Sequence, residues 1–148
     1  MNVDVSFVSF LLIKILISTV CGFIIGYDRE IKNKVAGIRT NILICVGSAL
    51  LTAVSVYLAK DNPNIDPTRI IGQIVTGIGF LGAGVIVKND DKIVGVTTAA
   101  FIWVISAIGI LVGITSSILA PIILTVTLLV ISRIFEKVEI YIKNNHKQ

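Results

Sequence analysis

Charge is scarce in this chain: only 15% of its 148 residues are charged and 55% are hydrophobic. A soluble domain of this size carries about 25% charged and about 45–50% apolar residues. The mean hydropathy of +0.94 points the same way, away from a soluble globule. Histidine occurs once, as His146 near the C-terminus, so a histidine-based catalytic or metal centre has no material. No Ser/His/Asp set, no metal-ligand spacing and no pair of membrane-embedded carboxylates is present, which argues against an enzyme, a bound metal or a cofactor. Cysteine occurs twice, at Cys21 and Cys45, each inside an apolar run, as expected of reduced, buried thiols that behave as small hydrophobes. Thirteen Lys and Arg against nine Asp and Glu leave a net charge of +4, but the basic residues form no stripe with interleaved aromatics, and nucleic acid is not an expected partner. A basic segment before a short apolar stretch is also missing at the N-terminus, where Asp4 is acidic, so the first apolar run is expected to be retained as a span.

What the chain does contain is apolar length. Residues 5–27, 38–59, 70–87, 95–114 and 118–135 each reach the roughly 17–25 residues that cross a hydrocarbon core. Only helices or closed barrels satisfy their backbone in lipid, and these runs lack the alternation of barrel strands. The expected fold is therefore an all-α, polytopic membrane helical bundle of about five transmembrane helices, spanning residues 1–135, with an amphipathic cytoplasmic tail over 136–148. Local signals agree. Asp66-Pro67 supplies an N-cap acceptor and an N1 proline to the third span, Pro121 falls in the first turn of the fifth, and Asn89-Asp90-Asp91 is turn chemistry. Arg29, Lys32, Lys34, Arg39, Lys88, Lys92, Arg133, Lys137, Lys143 and Lys147 fall on one side of the membrane, and only Lys60 and Arg69 on the other. The positive-inside rule then sets the N-terminus outside and the C-terminus in the cytoplasm.

Glycine is concentrated where it can set helix contacts. The third span holds Gly72, Gly77, Gly79, Gly82 and Gly84. At about 100° per residue these distribute over two opposite faces, which predicts neighbours on both sides and a central position for this helix. The stretch from Gly77 to Gly82 also spells G-x-G-x-x-G, but without the strand before it and the βαβ unit around it this is helix packing, not dinucleotide binding. Narrower seams run along the first span (Ser18, Gly22, Gly26) and the fourth (Gly95, Ala99, Ser106, Gly109, Gly113). These seams exceed what one bundle is expected to use, so a homodimer is predicted through one of them, with Gly22→Leu or Gly109→Leu shifting it toward monomer.

Polar groups within spans are the functional candidates, because lipid makes them costly. Lys14 lies about ten residues into the first span, either snorkelling to the outer surface or buried with a partner. Gln73 is either inter-helix glue or part of a site, and Thr97 and Thr98 could line a path. Arg39 and Arg69 sit at helix N-termini, where the macrodipole disfavours cations. They are either solvated or held by neighbouring carboxylates, Asp28 and Glu30 for Arg39 and Asp66 for Arg69. No acidic residue is expected inside any span, which weakens a divalent-cation path in particular.

Taken in order, residues 22–30 (GFIIGYDRE), 36–40 (AGIRT), 66–84 (DPTRIIGQIVTGIGFLGAG) and 95–100 (GVTTAA), with Trp103 to Gly109, resemble the MgtC/SapB family of bacterial membrane proteins over roughly residues 10–130. The resemblance implies a bacterial plasma-membrane protein tied to growth under magnesium limitation and, in pathogens, to survival inside host cells. It also implies a regulator of partner membrane proteins, an ATP synthase among them, or alternatively a small ion or solute transporter. The family's Glu-Arg pair corresponds here to Asp28-Arg29, and many members carry a basic residue at the position of Lys14. Members of the MgtC type carry a cytoplasmic ACT-like domain, and this sequence stops about where it would begin. A short, SapB-like form, or a piece of a longer chain, is the expectation.

Overall fold

A computed structural model describes residues 5–60, 62, 64–89 and 92–145. Asp4, Asp90, Asp91, His146 and Lys147 lie outside the described residues. The chain forms α1 (Val5–Ile31), α2 (Ile38–Ala59), α3 (Thr68–Gly84), β1 (Val87–Asn89), β2 (Lys92–Val94), α4 (Val96–Ile114) and α5 (Leu119–Asn145). Four of the helices, α1, α2, α4 and α5, are long and apolar enough to cross a membrane. At 17 residues α3 is about 25 Å long, short of a hydrocarbon core of about 30 Å. It nonetheless runs between the same two ends of the bundle. Ser55 of α2 reaches the Pro67 carbonyl at its start, and Gly82 lies against Ala99 of α4 near its finish.

Two helices end later than their apolar runs. Apolar content drops after Tyr27 and Phe135, but nothing there breaks a helix, so α1 continues through the charged Asp28-Arg29-Glu30 and α5 continues unbroken to Asn145. Asp28 and Glu30 therefore stand within α1, and Glu136 and Glu139 within α5, in the turns that follow the apolar runs. The connector after α3 is a two-stranded antiparallel hairpin pairing Val87 with Val94 and Asn89 with Lys92. Three-residue strands are too short to show alternation in a sequence, which is why the residues do not announce this element.

The bundle is organised around α2, and the central position predicted for α3 is incorrect. A β-carbon placed on Gly22 or Gly26 of α1 would lie 2.6 Å from the Cα of Ile42 or Ile38. On the other flank, one placed on Gly109 of α4 would lie 2.4 Å from the Cys45 carbonyl, and one on Gly113 would lie 2.6 Å from the Thr52 β-carbon. Helix α2 answers with small buried residues, Cys45, Ser48, Ala49, Thr52 and Ala53. Its backbone can therefore be approached from two sides, and Ser48 and Ser106 add a 3.0 Å hydrogen bond between α2 and α4. The seams assigned to a dimer interface are thus consumed inside one chain.

By contrast, Gly72, Gly77, Gly79 and Gly84 of α3 have open space where a side chain would be, and only Ile74, Ile78 and Gly82 of that helix are buried. Glycine permits close approach but does not supply the neighbour. Large apolar side chains such as Phe80, Trp103, Leu119 and Phe135 point outward, as a lipid-facing surface requires.

Replacing Gly109 with alanine forces backbone to move and should destabilise the bundle by about 1–3 kcal/mol. Gly79→Ala meets open space and should be neutral or up to about 1 kcal/mol stabilising, by helix propensity alone. Reversible unfolding in mixed micelles measures both, and equal stabilities would contradict the α2–α4 packing.

Candidate functional site

Asp28 and Arg29 are consecutive on a helix and so point about 100° apart. Each serves a different neighbour. The Asp28 carboxylate, 2% exposed, accepts a 2.8 Å hydrogen bond from Arg133 Nε of α5. It also forms an ion pair at 2.9 Å with Lys32, one turn on. Lys32 in turn holds Glu136 of α5. Burial alone would push the Lys32 ammonium down, but its hydrogen bonds to Glu136 and Asp28 carry it above its ordinary value, so it stays charged. Four charges therefore clamp the end of α1 to α5.

Arg29 faces α4 instead and is 4% exposed. Its guanidinium stacks over the Phe101 ring at 4.3 Å and donates through Nη2 to the Thr98 hydroxyl at 3.2 Å, both on α4. Its Nε has no acceptor, and among the described residues no carboxylate pairs with it.

At the other end of the bundle Lys14 is buried, not snorkelling. Its ammonium donates to the Val112 carbonyl at 2.8 Å and to the Thr115 carbonyl, and lies 5.0 Å from the centre of the Phe10 ring. These carbonyls end α4, where the macrodipole is negative and no further turn supplies donors. A cation placed there satisfies both. No partner on α1 could have revealed this contact, because the two carbonyls lie 98 and 101 residues away in sequence.

The remaining candidates are not gathered into one place. Arg39 and Arg69 are exposed and form no ion pair among the described residues; Glu30 instead accepts from the Ile38 backbone N–H at 3.0 Å. Asp66 caps α3, accepting from the Thr68 N–H at 2.9 Å and from its hydroxyl at 2.6 Å, and these bonds hold its carboxyl below the usual range. Gln73 is exposed beside an open groove of about 480 Å³ between α2 and α3. Thr97 is exposed, whereas Thr98 is buried against Arg29. Cys21 and Cys45 are both free and buried. Among the described residues no group of three or more His, Cys, Asp or Glu could hold a metal ion. Sequence reasoning sets Lys32 and Arg133 on the same side as Asp28 but not as its partners; only Lys32, four residues on, carries a local signal.

The MgtC family profile matches residues 15–141, a stretch that takes in every member of the charged clamp. The chain belongs to the MgtC family. It is 48% identical over 109 residues to "Putative magnesium transporter YhiD" of Escherichia coli K12, covering 70% of this chain and 50% of that protein. It is 44% identical over 109 residues to protein SapB of Bacillus subtilis, covering 70% of this chain and 47% of SapB. To protein MgtC of Brucella abortus it is 44% identical over 92 residues, 62% of this chain and 37% of that protein. The match therefore spans about half or less of each of these relatives. SapB itself extends well beyond it, so shortness does not set SapB apart. No solved structure matches the chain.

In this MgtC-family chain the motif at residues 22–30 carries both the α1–α2 glycine contacts and the Asp28-Arg29 pair. Lys14→Met should leave the two α4 carbonyls without a donor and lower stability by about 1–3 kcal/mol, read as a drop in the thermal midpoint in detergent. In the clamp, Asp28→Ala strands Arg133, which can turn to water, and leaves Lys32 with Glu136 alone, so its cost should be about 1–2 kcal/mol, below that of a fully buried pair. Arg133, 54% exposed, should cost under about 1 kcal/mol as Arg133→Ala. Reversal of that order in unfolding measurements would remove Asp28 from the centre of the clamp.

Proposed function

We propose that this chain is a non-enzymatic regulator in the bacterial plasma membrane, acting by helix contact with a partner membrane complex, and that α3 is the contact helix. One observation carries the reading. Gln73, Gly77, Phe80 and Gly84 recur on one face of α3, the glycines with open space beside them and Phe80 83% exposed. Across the groove, Gly47 of α2 is equally open and Leu43 and Leu51 form the wall. The Gln73 amide has no hydrogen-bond partner among the described residues. Glycine in a helix interior gives up about 1 kcal/mol relative to alanine and gains it back only where another helix comes close. An amide facing lipid likewise gains when a passing helix offers a polar group. A transmembrane helix of a different protein fits both needs, and an ATP synthase is the kind of partner the family resemblance suggests. A second copy of the chain also fits both needs at this face, since the α1 and α4 seams are internal.

A second reading, a transporter tied to magnesium homeostasis, is favoured by the name given to YhiD. Lys14, Gln73, Thr97 and Thr98 would have been its path, but Lys14 caps α4 at one end, Thr98 binds Arg29 at the other and Gln73 faces outward. Saturable uptake into proteoliposomes by the purified chain would move this reading ahead of the first.

A photo-crosslinking residue at Phe80, with one at Val130 of α5 as control, separates the outcomes in native membranes. Adducts with one membrane protein from Phe80 alone, reduced severalfold by Gly77→Leu, are expected. Adducts with lipid only, or equally from both positions, would remove α3 as a contact helix, and adducts with the chain itself would replace the partner by a second copy.

A further inference from the structure

Helix α4 starts in a way that leaves its N-terminus open. Gly95 precedes it with φ +93°, and a β-carbon there would lie 1.9 Å from the Val85 carbonyl, so no side chain is available to cap the helix. The first N–H of α4 to find an acceptor is that of Ala99, bonded to the Gly95 carbonyl at 2.9 Å. The N–H groups of Val96, Thr97 and Thr98 have none among the described residues. They border a cavity of about 410 Å³ at the basic end of the bundle, walled also by the hairpin and by Asn33 and Lys34 of the α1–α2 turn.

Arg29 forms part of the same wall. It is only 4% exposed, its Nε has no acceptor, and among the described residues no carboxylate pairs with it. The nearest anions are already engaged, Asp28 by Lys32 and Arg133, and Glu136 by Lys32. Lys34, exposed on the rim, adds a second cation, while Lys88 and Lys92 stand on the two hairpin strands. A buried guanidinium that lacks an anion, facing a free helix N-terminus with its partial positive charge, is half of a charge-assisted site.

We propose that the first turn of α4, Arg29 and Lys34 bind a phosphate group at the cytoplasmic membrane boundary. The group is carried either by an anionic phospholipid or by free inorganic phosphate; tetrahedral oxygens suit several N–H donors and a guanidinium together. The proposal is independent of the role given to α3, none of whose residues lines this cavity.

The test uses the full chain in a neutral maltoside micelle, titrated separately with inorganic phosphate, with phosphatidic acid and with diacylglycerol as the phosphate-free lipid control. Phosphatidic acid binding without free phosphate binding assigns the site to a lipid headgroup; the converse assigns it to a soluble anion; binding of both, with mutual displacement, shows one site open to either. Arg29→Gln should weaken the bound phosphate probe at least about tenfold. Because Arg29 is buried and its variant could misfold, Lys34→Glu, on the exposed rim, gives the second arm and should weaken it at least about threefold. Thermal midpoints check that each variant is folded. The proposal is overturned if neither phosphate probe binds better than diacylglycerol, or if folded Lys34→Glu binds as tightly as the wild type.

Discussion

The backbone of α2 is approached on two flanks, by Gly22 and Gly26 of α1 and by Gly109 and Gly113 of α4, and the rest of the bundle depends on that closeness. Lipid tails are as apolar as leucine, so helices inside a membrane gain little from burying apolar surface against one another. What holds them is dispersion and polar contact at short range, and short range demands that β-carbons be absent. Once α1, α2 and α4 are pressed together in this way, Ser48 can meet Ser106 and Arg29 can reach Thr98. Each of these is a consequence of the seam rather than its cause.

The two ends of the bundle use charge differently. At the basic end, one buried carboxylate is shared by a turn-distant lysine and a half-exposed arginine from α5, an arrangement that ties an otherwise loosely packed helix to the group. At the opposite end, a single ammonium meets no carboxylate and instead completes the backbone of another helix. Because Asp28 and Arg29 serve α5 and α4 respectively, α1 cannot turn about its own axis without losing both sets of contacts. The pair therefore fixes the rotational setting of α1 as well as its charge balance.

Much of this is legible in the residues. The second apolar run coincides with α2, and the Asp66-Pro67 start of α3 has the cap that its sequence announces. The glycine seams are visible too, but a seam shows only that a neighbour can come close, not whether that neighbour is in the same chain. That is why the residues alone set Gly22 and Gly109 outward and α3 inward, the reverse of their places. The short hairpin strands give no periodic signal. The partners of Lys14 and Asp28 are hidden for another reason: Val112, Thr115 and Arg133 are roughly a hundred residues distant, and only the packed fold brings them near.

Lys14 has a further consequence, in time rather than in space. The carbonyl it binds belongs to a residue made 98 positions later. At a bacterial synthesis rate of about 5–20 residues per second, α1 stands in the membrane for about 5–20 s before that acceptor exists. During that interval the ammonium lacks the two carbonyls that hold it in the finished bundle. Only once the end of α4 has been made can this contact close, so the first helix of the chain waits on the fourth for the partner of its buried ammonium.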